Sequence, residues 1–531
     1  MLTIMACVPF LLVLCCFVAG WKSWQTGLLT LLATALLAVA LFHLSARHLE
    51  GTLLAALFPA LTATLILFPA RLLYVLEEAA GTIAHVSQMV RGAARSLVVL
   101  FLVLCLSPLL EASCGFGTGM VVSIPIYLAL GIAPQNAALL GLLGESTTAF
   151  ASMGNAVNLE ASMTGLAGSP LGMDTALLLL PCSLLCACVA LLLVEGMRSL
   201  RQWWPMAVLV AGILVGGEWL VSSLDVSLAG LLSSLLTGSV LGCVLWWSRI
   251  QTTRTTSGTQ TTRMLTPLAS SLSRQQWQLI LVPGIFVLGG PLFMHLGIFH
   301  SLVMLLTLRE GTQHLYVLEY PGIWLLLACL SVILLLFKQG QAVFVGAIVQ
   351  QTSKRFFPLA STIVAFVLAS ALLSASGMLD AFIIIFTPFA QVYLAVAPVL
   401  GTLGGWMSGS NASSNAFFAP MQVSMATRGT ALWVGAAQNA ASSLGRMLAP
   451  AYLLVAANSA RIREQAIALP VFWLIVVAFL SMETILALVF ASLWIVVGIE
   501  CLTLLAFFGL YWYLVQWQHT TRRLWAQSVG D

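Results

Sequence analysis

The chain has 531 residues, 60% of them hydrophobic and 7% charged, whereas soluble domains carry about a quarter charged residues, so water is excluded as its main solvent. Its net charge of +4 comes from 21 Lys and Arg against 17 Asp and Glu. The basic residues are scattered at the ends of apolar runs rather than gathered on one face, a topology signal of short cytoplasmic loops, which excludes a nucleic-acid-binding face.

Apolar runs of bilayer-crossing length recur along nearly the whole sequence, and about 12 to 14 crossings are expected. Helices are the expected element, because unpaired backbone groups cost several kcal/mol in lipid. The fold class expected is an all-α polytopic membrane protein in two inverted-repeat-like halves with broken or re-entrant helices.

In chain order, Met1 to Ala19 is apolar without a basic n-region and reads as a retained first span. Spans one to three run from Thr3 to about Leu73, broken near Lys22 and again near Arg47, His48 and Glu50. From Tyr74 to Arg95, Leu76, Ile83, Val86 and Val90 recur at helical spacing among charged residues, which predicts an amphipathic helix at the membrane surface. Residues 1–248 form the expected N-terminal half. Residues 249–276, with four arginines and no acid, are the expected linker. Residues 277–518 form the C-terminal half and 519–531 a polar tail.

Each half carries two polar, Gly-bearing breaks within apolar sequence. In the first half they are LEASCGFGTG from Leu110 and ESTTAFASMGN from Glu145; in the second, MSGSNASSN from Met407 and QNAASSLGRMLAP from Gln438. Gly117 and Gly154 are 37 positions apart, Gly409 and Gly445 are 36. Paired breaks of this kind mark transporter binding sites, although small residues also serve tight helix packing. Free N–H groups at a half-helix start receive carboxylates. Gly115, Gly117 and Gly119 permit close backbone approach, while Ser410, Asn411, Ser413, Ser414 and Asn415 offer caps and hydrogen bonds.

Ionisable residues in apolar segments are functional candidates. Glu111 stands at the first break as a group that can couple a proton, and Arg446 in the last as a bidentate carboxylate clamp. A structural ion pair is the other reading of both. Glu145 is read equally as a functional group or a helix cap, Asp380 and Glu483 as turn or interhelical-pairing residues, and Glu218 and Asp225 as solvated. The histidines form no constellation, and the 11 cysteines lie mostly in apolar runs without metal-ligand spacing, so no metal or cofactor is expected.

At these same residues the chain resembles the L-lactate permease family. LEASCGFG, GSNASSN and QNAASSLGRMLAP stand in the family's order, and the likeness extends from about Gly51 to Ala457, including the SASG turn at Ser374 to Gly377. The resemblance implies proton-coupled uptake of lactate and related 2-hydroxy monocarboxylates such as glycolate across a bacterial cytoplasmic membrane. Glu111, Gly115, Phe116 and Gly117 match the first motif, and Gly409, Ser410, Ser413, Ser414 and Asn415 the second. Arg446 falls where many members have Lys, Asn411 where Asp is common, and Ala112, Ser113 and Cys114 replace a Gly and two Ala.

The expectation is therefore a secondary transporter whose carboxylate substrate binds between the two tips while Glu111 carries the coupling proton. An anion moving inward against 100 mV costs about 2.3 kcal/mol unless a cation, proton or sodium, accompanies it. An anion channel and a carrier of another organic anion are the competing readings. An intramembrane enzyme is not expected, since neither HExxH nor GxSxG is present.

Overall fold

A computed structural model describes residues 2–81, 94–115, 117–146, 149–256, 274–290, 307–310, 313–318, 320–338, 340, 345–381, 393–427, 429–490 and 493–530. The first half contains α1 (Leu2–Ala6), α2 (Val8–Val18), α3 (Ser23–Ala40), α4 (Ala46–Ala79), α5 (Arg95–Cys114), α6 (Thr118–Ala129), α7 (Pro134–Leu143), α8 (Ala151–Thr164), α9 (Gly168–Glu195), α10 (Met197–Ser222) and α11 (Val226–Thr256). The second contains α12 (Arg274–Gly284), a hairpin of β1 (Thr307–Glu310) and β2 (Gln313–Tyr316), α13 (Pro321–Lys338), α14 (Val345–Ala375), α15 (Tyr393–Ser408), α16 (Asn411–Met425), α17 (Ala431–Gly445), α18 (Pro450–Ala460), α19 (Gln465–Phe490) and α20 (Leu493–Gly530).

The chain is a polytopic, almost wholly helical membrane protein. Six of the described helices are long and apolar enough to cross a bilayer, and seven shorter apolar helices accompany them. Besides these, α17 with its 3-10 turn and α18 form an apolar pair bent by 48°, a broken span or a re-entrant loop. Six single long helices and one bent pair among the described residues fall below the expected 12 to 14 crossings, with the shorter apolar helices standing apart from both. Large apolar side chains such as Leu36, Leu220, Leu334 and Leu505 point outward from the helices, as lipid-facing surfaces require.

Of the surface helix expected from Tyr74 to Arg95, residues 74–79 continue α4, and 82–93 lie outside the described residues. The expected linker starts as helix, since α11 runs on to Thr256; residues 257–273 lie outside the described set. The two halves interlock around one hydrophobic core. Helices α3 and α4 pack on α14, α8 on α16, α9 on α17, and α18 on both α6 and α7.

One sequence of elements occurs twice: helix, glycine break, helix, turn, helix, break, helix. It runs through α5 to α8 and again through α15 to α18. Gly115 (φ 70°) and Gly117 (φ 73°) open the first tip and Gly409 (φ 62°) the second, conformations that a side chain disfavours. The second breaks differ. In the first half, Ser152, Met153 and Gly154 all take left-handed backbone at φ 49°, 55° and 66°. In the second, Arg446–Leu448 form one 3-10 turn and Pro450 starts α18. Gly445 itself is right-handed at φ −58°. Gly154 and Gly445, matched by spacing, thus occupy unlike positions.

Candidate functional site

The lower half of α5 is rotated by a π turn at Leu102–Leu106. Pro108 has no N–H to give the Leu104 carbonyl, and the Ser107 N–H instead reaches back to Leu102. Ser107 then fits between two glycines. A Cβ on Gly119 would stand 2.8 Å from Ser107 Cα, and one on Gly144 2.6 Å from Ser107 Cβ. This close fit brings α5, the start of α6 and the end of α7 together, with Glu111 and Glu145 between them. On the other side, α15 and α17 approach through Gly401, Gly405 and Gly445, whose absent side chains leave room for the carbonyls of Gln438, Ser442 and Thr402.

Arg446, carried by the 3-10 turn, projects across the interface between the halves. Its Nη2 lies 3.4 Å from Glu111 Oε2 and 3.5 Å from Glu145 Oε2, and donates to the Glu145 main-chain carbonyl at 3.2 Å. Its Cζ stands 5.4 Å from the centre of the Tyr452 ring, a cation–π contact. All three charged groups are buried, with Glu111 and Glu145 fully so. One cation therefore faces two carboxyls: the cluster is neutral when one of them holds a proton and negative when neither does.

The first turn of α6 supplies further bonds. Gly119 N–H and Thr118 Oγ1 donate to Glu111 Oε1 at 3.4 and 3.3 Å, and Met120 N–H donates to Glu145 Oε1 at 2.9 Å. The half-helix start at the first tip, where a substrate carboxylate was expected, thus holds the protein's own carboxyls. At the second tip, Ser410 caps α16 by accepting from Ser413 N–H at 3.3 Å. The first-turn N–H groups of Asn411 and Ala412 have no acceptor within the helix.

Between the tips lies a half-open cleft. Gly115, Ser152 and Asn155 border it from the first half, and Gly409, Ser410, Asn411, Ala412, Arg446 and Tyr452 from the second. Ala156 and Leu359 add apolar wall. Gly117 lies outside this lining, against Met120 and Tyr452. Ser413 and Ser414 border a different, apolar cavity beside Phe366 and Phe417. Phe116 lies outside the described residues.

Asn415 is fully buried and belongs to a carboxamide network. Its Nδ2 donates to Glu160 Oε2 at 3.0 Å, Asn439 Oδ1 at 2.8 Å and the Ala156 carbonyl at 3.2 Å. Asn411 Nδ2 also donates to Asn439 Oδ1, at 2.9 Å. Gln438 Nε2 donates to Ser414 and to Asn415 Oδ1, and Gln422 Nε2 to Gln438 Oε1.

Sequence reasoning missed Glu160, which is wholly buried. Its polar neighbours Asn158 and Ser162 make the segment look like a solvated helix end; only the apolar Val157, Leu159 and Met163 signal otherwise. Glu218 was expected to be solvated and is 1% exposed. The reason is that α10 continues to Ser222, and the adjacent Gly217 packs so closely on α11 that a Cβ there would meet Ser233 at 2.8 Å. Glu483 is buried in α19 and its Oε1 has no hydrogen-bond partner among the described residues. Asp380 is exposed after a turn at Gly377 (φ 76°), and Asp225 accepts from Ser227 N–H at the start of α11. No group of three or more His, Cys, Asp and Glu able to hold a metal occurs among the described residues.

A family model described as L-lactate permease matches residues 2–497. An L-lactate permease of Streptococcus iniae is 26% identical over 451 residues, covering 80% of this chain and 90% of the relative. One from Escherichia coli strain K12 is 25% identical over 402 residues, covering 68% and 71%. One from Halalkalibacterium halodurans is 27% identical over 250 residues, covering 45% and 48%. With nearly its whole length matched by that one model, the chain belongs to the L-lactate permease family.

Proposed function

We propose that this chain takes up a small 2-hydroxy monocarboxylate, lactate or a near relative such as glycolate, together with a proton, as a secondary transporter of the bacterial cytoplasmic membrane. The observation that carries the reading is one buried arginine set between two carboxyls at the edge of a cavity shared by both tips. The names of the relatives supply the substrate class.

The substrate carboxylate enters between the tips and takes the first-turn N–H groups of Asn411 and Ala412, with Arg446 behind it. Glycines at 115 and 409 leave the backbone accessible. Ser152, Asn155 and Ser410 give hydrogen bonds for a 2-hydroxyl, and Ala156 and Leu359 give a wall for a methyl group. Arg446 is already matched by Glu111 and Glu145, so an arriving anion adds a second uncompensated negative charge to a buried site. Burying such a charge costs several kcal/mol. A proton taken by Glu111 or Glu145 removes it, which makes substrate and proton travel together. One interlocked set of half-helices then shifts against the other and opens the cavity to the opposite side.

The test is uptake of labelled lactate and glycolate into vesicles holding the purified protein, with an inward proton gradient imposed and then collapsed. Accumulation that needs the gradient supports the reading. Accumulation driven only by a sodium gradient replaces the proton, and saturation-free flux without accumulation makes the protein a channel.

A further inference from the structure

Outside the arginine cluster, one ionisable group is sunk in the interface between the halves and has no role in the proposed mechanism. Glu160 is fully buried on α8. Its Oε2 accepts from Asn415 of α16, while its Oε1 has no hydrogen-bond partner among the described residues. Gly435 of α17 lies against that oxygen so closely that a Cβ there would be 2.8 Å away.

The elements packed on α8 bring it no counterion. Helices α16 and α17 carry no ionisable side chain at all. Of the other neighbours, α4 carries Arg71 and Glu77 along its inner length, with Arg47, His48, Glu50 and Glu78 toward its ends. Helix α5 carries Arg95 and Glu111, α9 Asp174 and Glu195, and α11 Arg249 and Arg254. Among the described residues none forms an ion pair with Glu160. Arg446, the one buried cation among the described residues, is held by Glu111 and Glu145.

The amide network links this carboxyl to the cavity, and it is over-subscribed. Asn415 Nδ2 has two hydrogens but three acceptors: the Ala156 carbonyl, Glu160 Oε2 and Asn439 Oδ1. At present Asn439 Oδ1 is also served by Asn411, which borders the cavity. A carboxylate that turns the Asn411 amide toward the cavity carries its Nδ2 away from Asn439 Oδ1 and leaves that oxygen to Asn415 alone. Asn415 then has less hydrogen left for Glu160, and a carboxylate losing its donor in a buried site gains from protonation.

We infer that Glu160 is a second proton-carrying carboxyl of the transport cycle, set by the substrate through Asn411, Asn439 and Asn415. Substrate seating at the second tip favours an O–H bond on Glu160, with the proton drawn from the aqueous side. Substrate release restores the Asn411 bond and returns the proton. The inference rests on the proposed transport of a carboxylate, but the carboxyl itself can be read without any substrate.

The experiment has two arms on the purified full chain. In the first, infrared difference spectra between acid and alkaline samples without substrate are compared for wild type, Glu160→Gln and Glu160→Asp. A protonated-carboxyl band lost in Glu160→Gln and moved in Glu160→Asp supports a titrating Glu160. A set of bands identical in all three overturns it, whatever the substrate. In the second arm, lactate is added in weak buffer and proton uptake is read. Glu160→Gln should bind about one proton fewer per lactate than wild type, and Glu160→Asp should recover it. An unchanged count with lactate bound overturns the coupling. Should the variants fail to fold, a carboxyl band that appears on adding lactate to ¹³C-glutamate-labelled wild type, and persists when Glu111, Glu145, Glu218 and Glu483 are each replaced by Gln, supports Glu160; loss of that band in any of these four overturns it. Wild type that shows the acid–alkaline band yet neither binds nor carries lactate removes the proposed substrate and leaves the carboxyl's titration in place.

Discussion

Arg446 Nη2 meets Glu111 Oε2 at 3.4 Å across 335 positions of sequence, and the contact ties the last break of the second half to the first break of the first. Glu145 completes the cluster from a third segment. A cation shared by two carboxyls has one dispensable negative charge, and that charge is where a proton acts. Glu111→Gln fixes the cluster in its neutral form. Proton-driven accumulation of lactate should fall at least tenfold, and exchange of lactate across the membrane should fall much less. Counterflow and gradient-driven uptake measured on the same vesicles check this; equal losses in both would place Glu111 in binding alone.

Arg446→Gln leaves two carboxyls facing one another without a cation. Breaking a buried pair costs about 3–5 kcal/mol, so a marked fall in melting temperature is expected together with loss of lactate binding. Arg446→Lys keeps the charge but cannot form two parallel bonds to a carboxylate. It should melt nearer the wild type while binding lactate more weakly. Melting curves with and without lactate separate the two effects, since a ligand that still binds raises the melting point.

The parts of this site that were legible in the sequence are those set by local chemistry. Glu111 and Arg446 stood out because charge is rare in apolar segments, and the tips stood out because Gly115, Gly117 and Gly409 interrupt otherwise helical runs. What stayed hidden depends on partners distant in sequence. Glu145 looked as much like a cap as a charge partner, since nothing near it reveals the guanidinium it meets. Glu160 and Glu218 sit near polar residues and helix ends, the pattern of solvated positions, and are buried because other helices cover them. Equal spacing paired Gly154 with Gly445, whereas the backbone is left-handed at one and helical at the other.

The fit of Ser107 between Gly119 and Gly144 gives a test of how the cluster is assembled. In Gly144→Ala the new methyl group meets the Ser107 side chain, at 2.6 Å from Cβ and 2.7 Å from Oγ. Overpacking of this kind costs about 1–3 kcal/mol. Adding Ser107→Gly removes both atoms and should restore a good part of the lost stability and uptake. In Gly119→Ala the methyl meets Ser107 Cα and its carbonyl oxygen, both at 2.8 Å. Those are backbone atoms, so Ser107→Gly should not rescue that variant. Stability and uptake of the four variants decide the matter.

Asn411 borders the cavity as a neutral amide, and replacing it with Asp probes both its roles. The Nδ2 that now donates to Asn439 Oδ1 at 2.9 Å becomes an oxygen, so two acceptors would face each other while the new carboxyl is ionised. The same charge stands at the cavity rim and repels an arriving carboxylate. Both penalties vanish when the Asp holds a proton, which then serves as a donor to Asn439. Lactate affinity of Asn411→Asp should therefore be closest to wild type at acid pH and fall away as pH rises through the carboxyl's titration, with an added loss of about tenfold if one hydrogen bond and one like-charge contact together cost about 1.4 kcal/mol. Wild type carries no titrating group at this position and should lack the added slope. Binding isotherms over a pH series check the prediction, and parallel pH profiles for the two proteins would show that residue 411 does not face the bound anion.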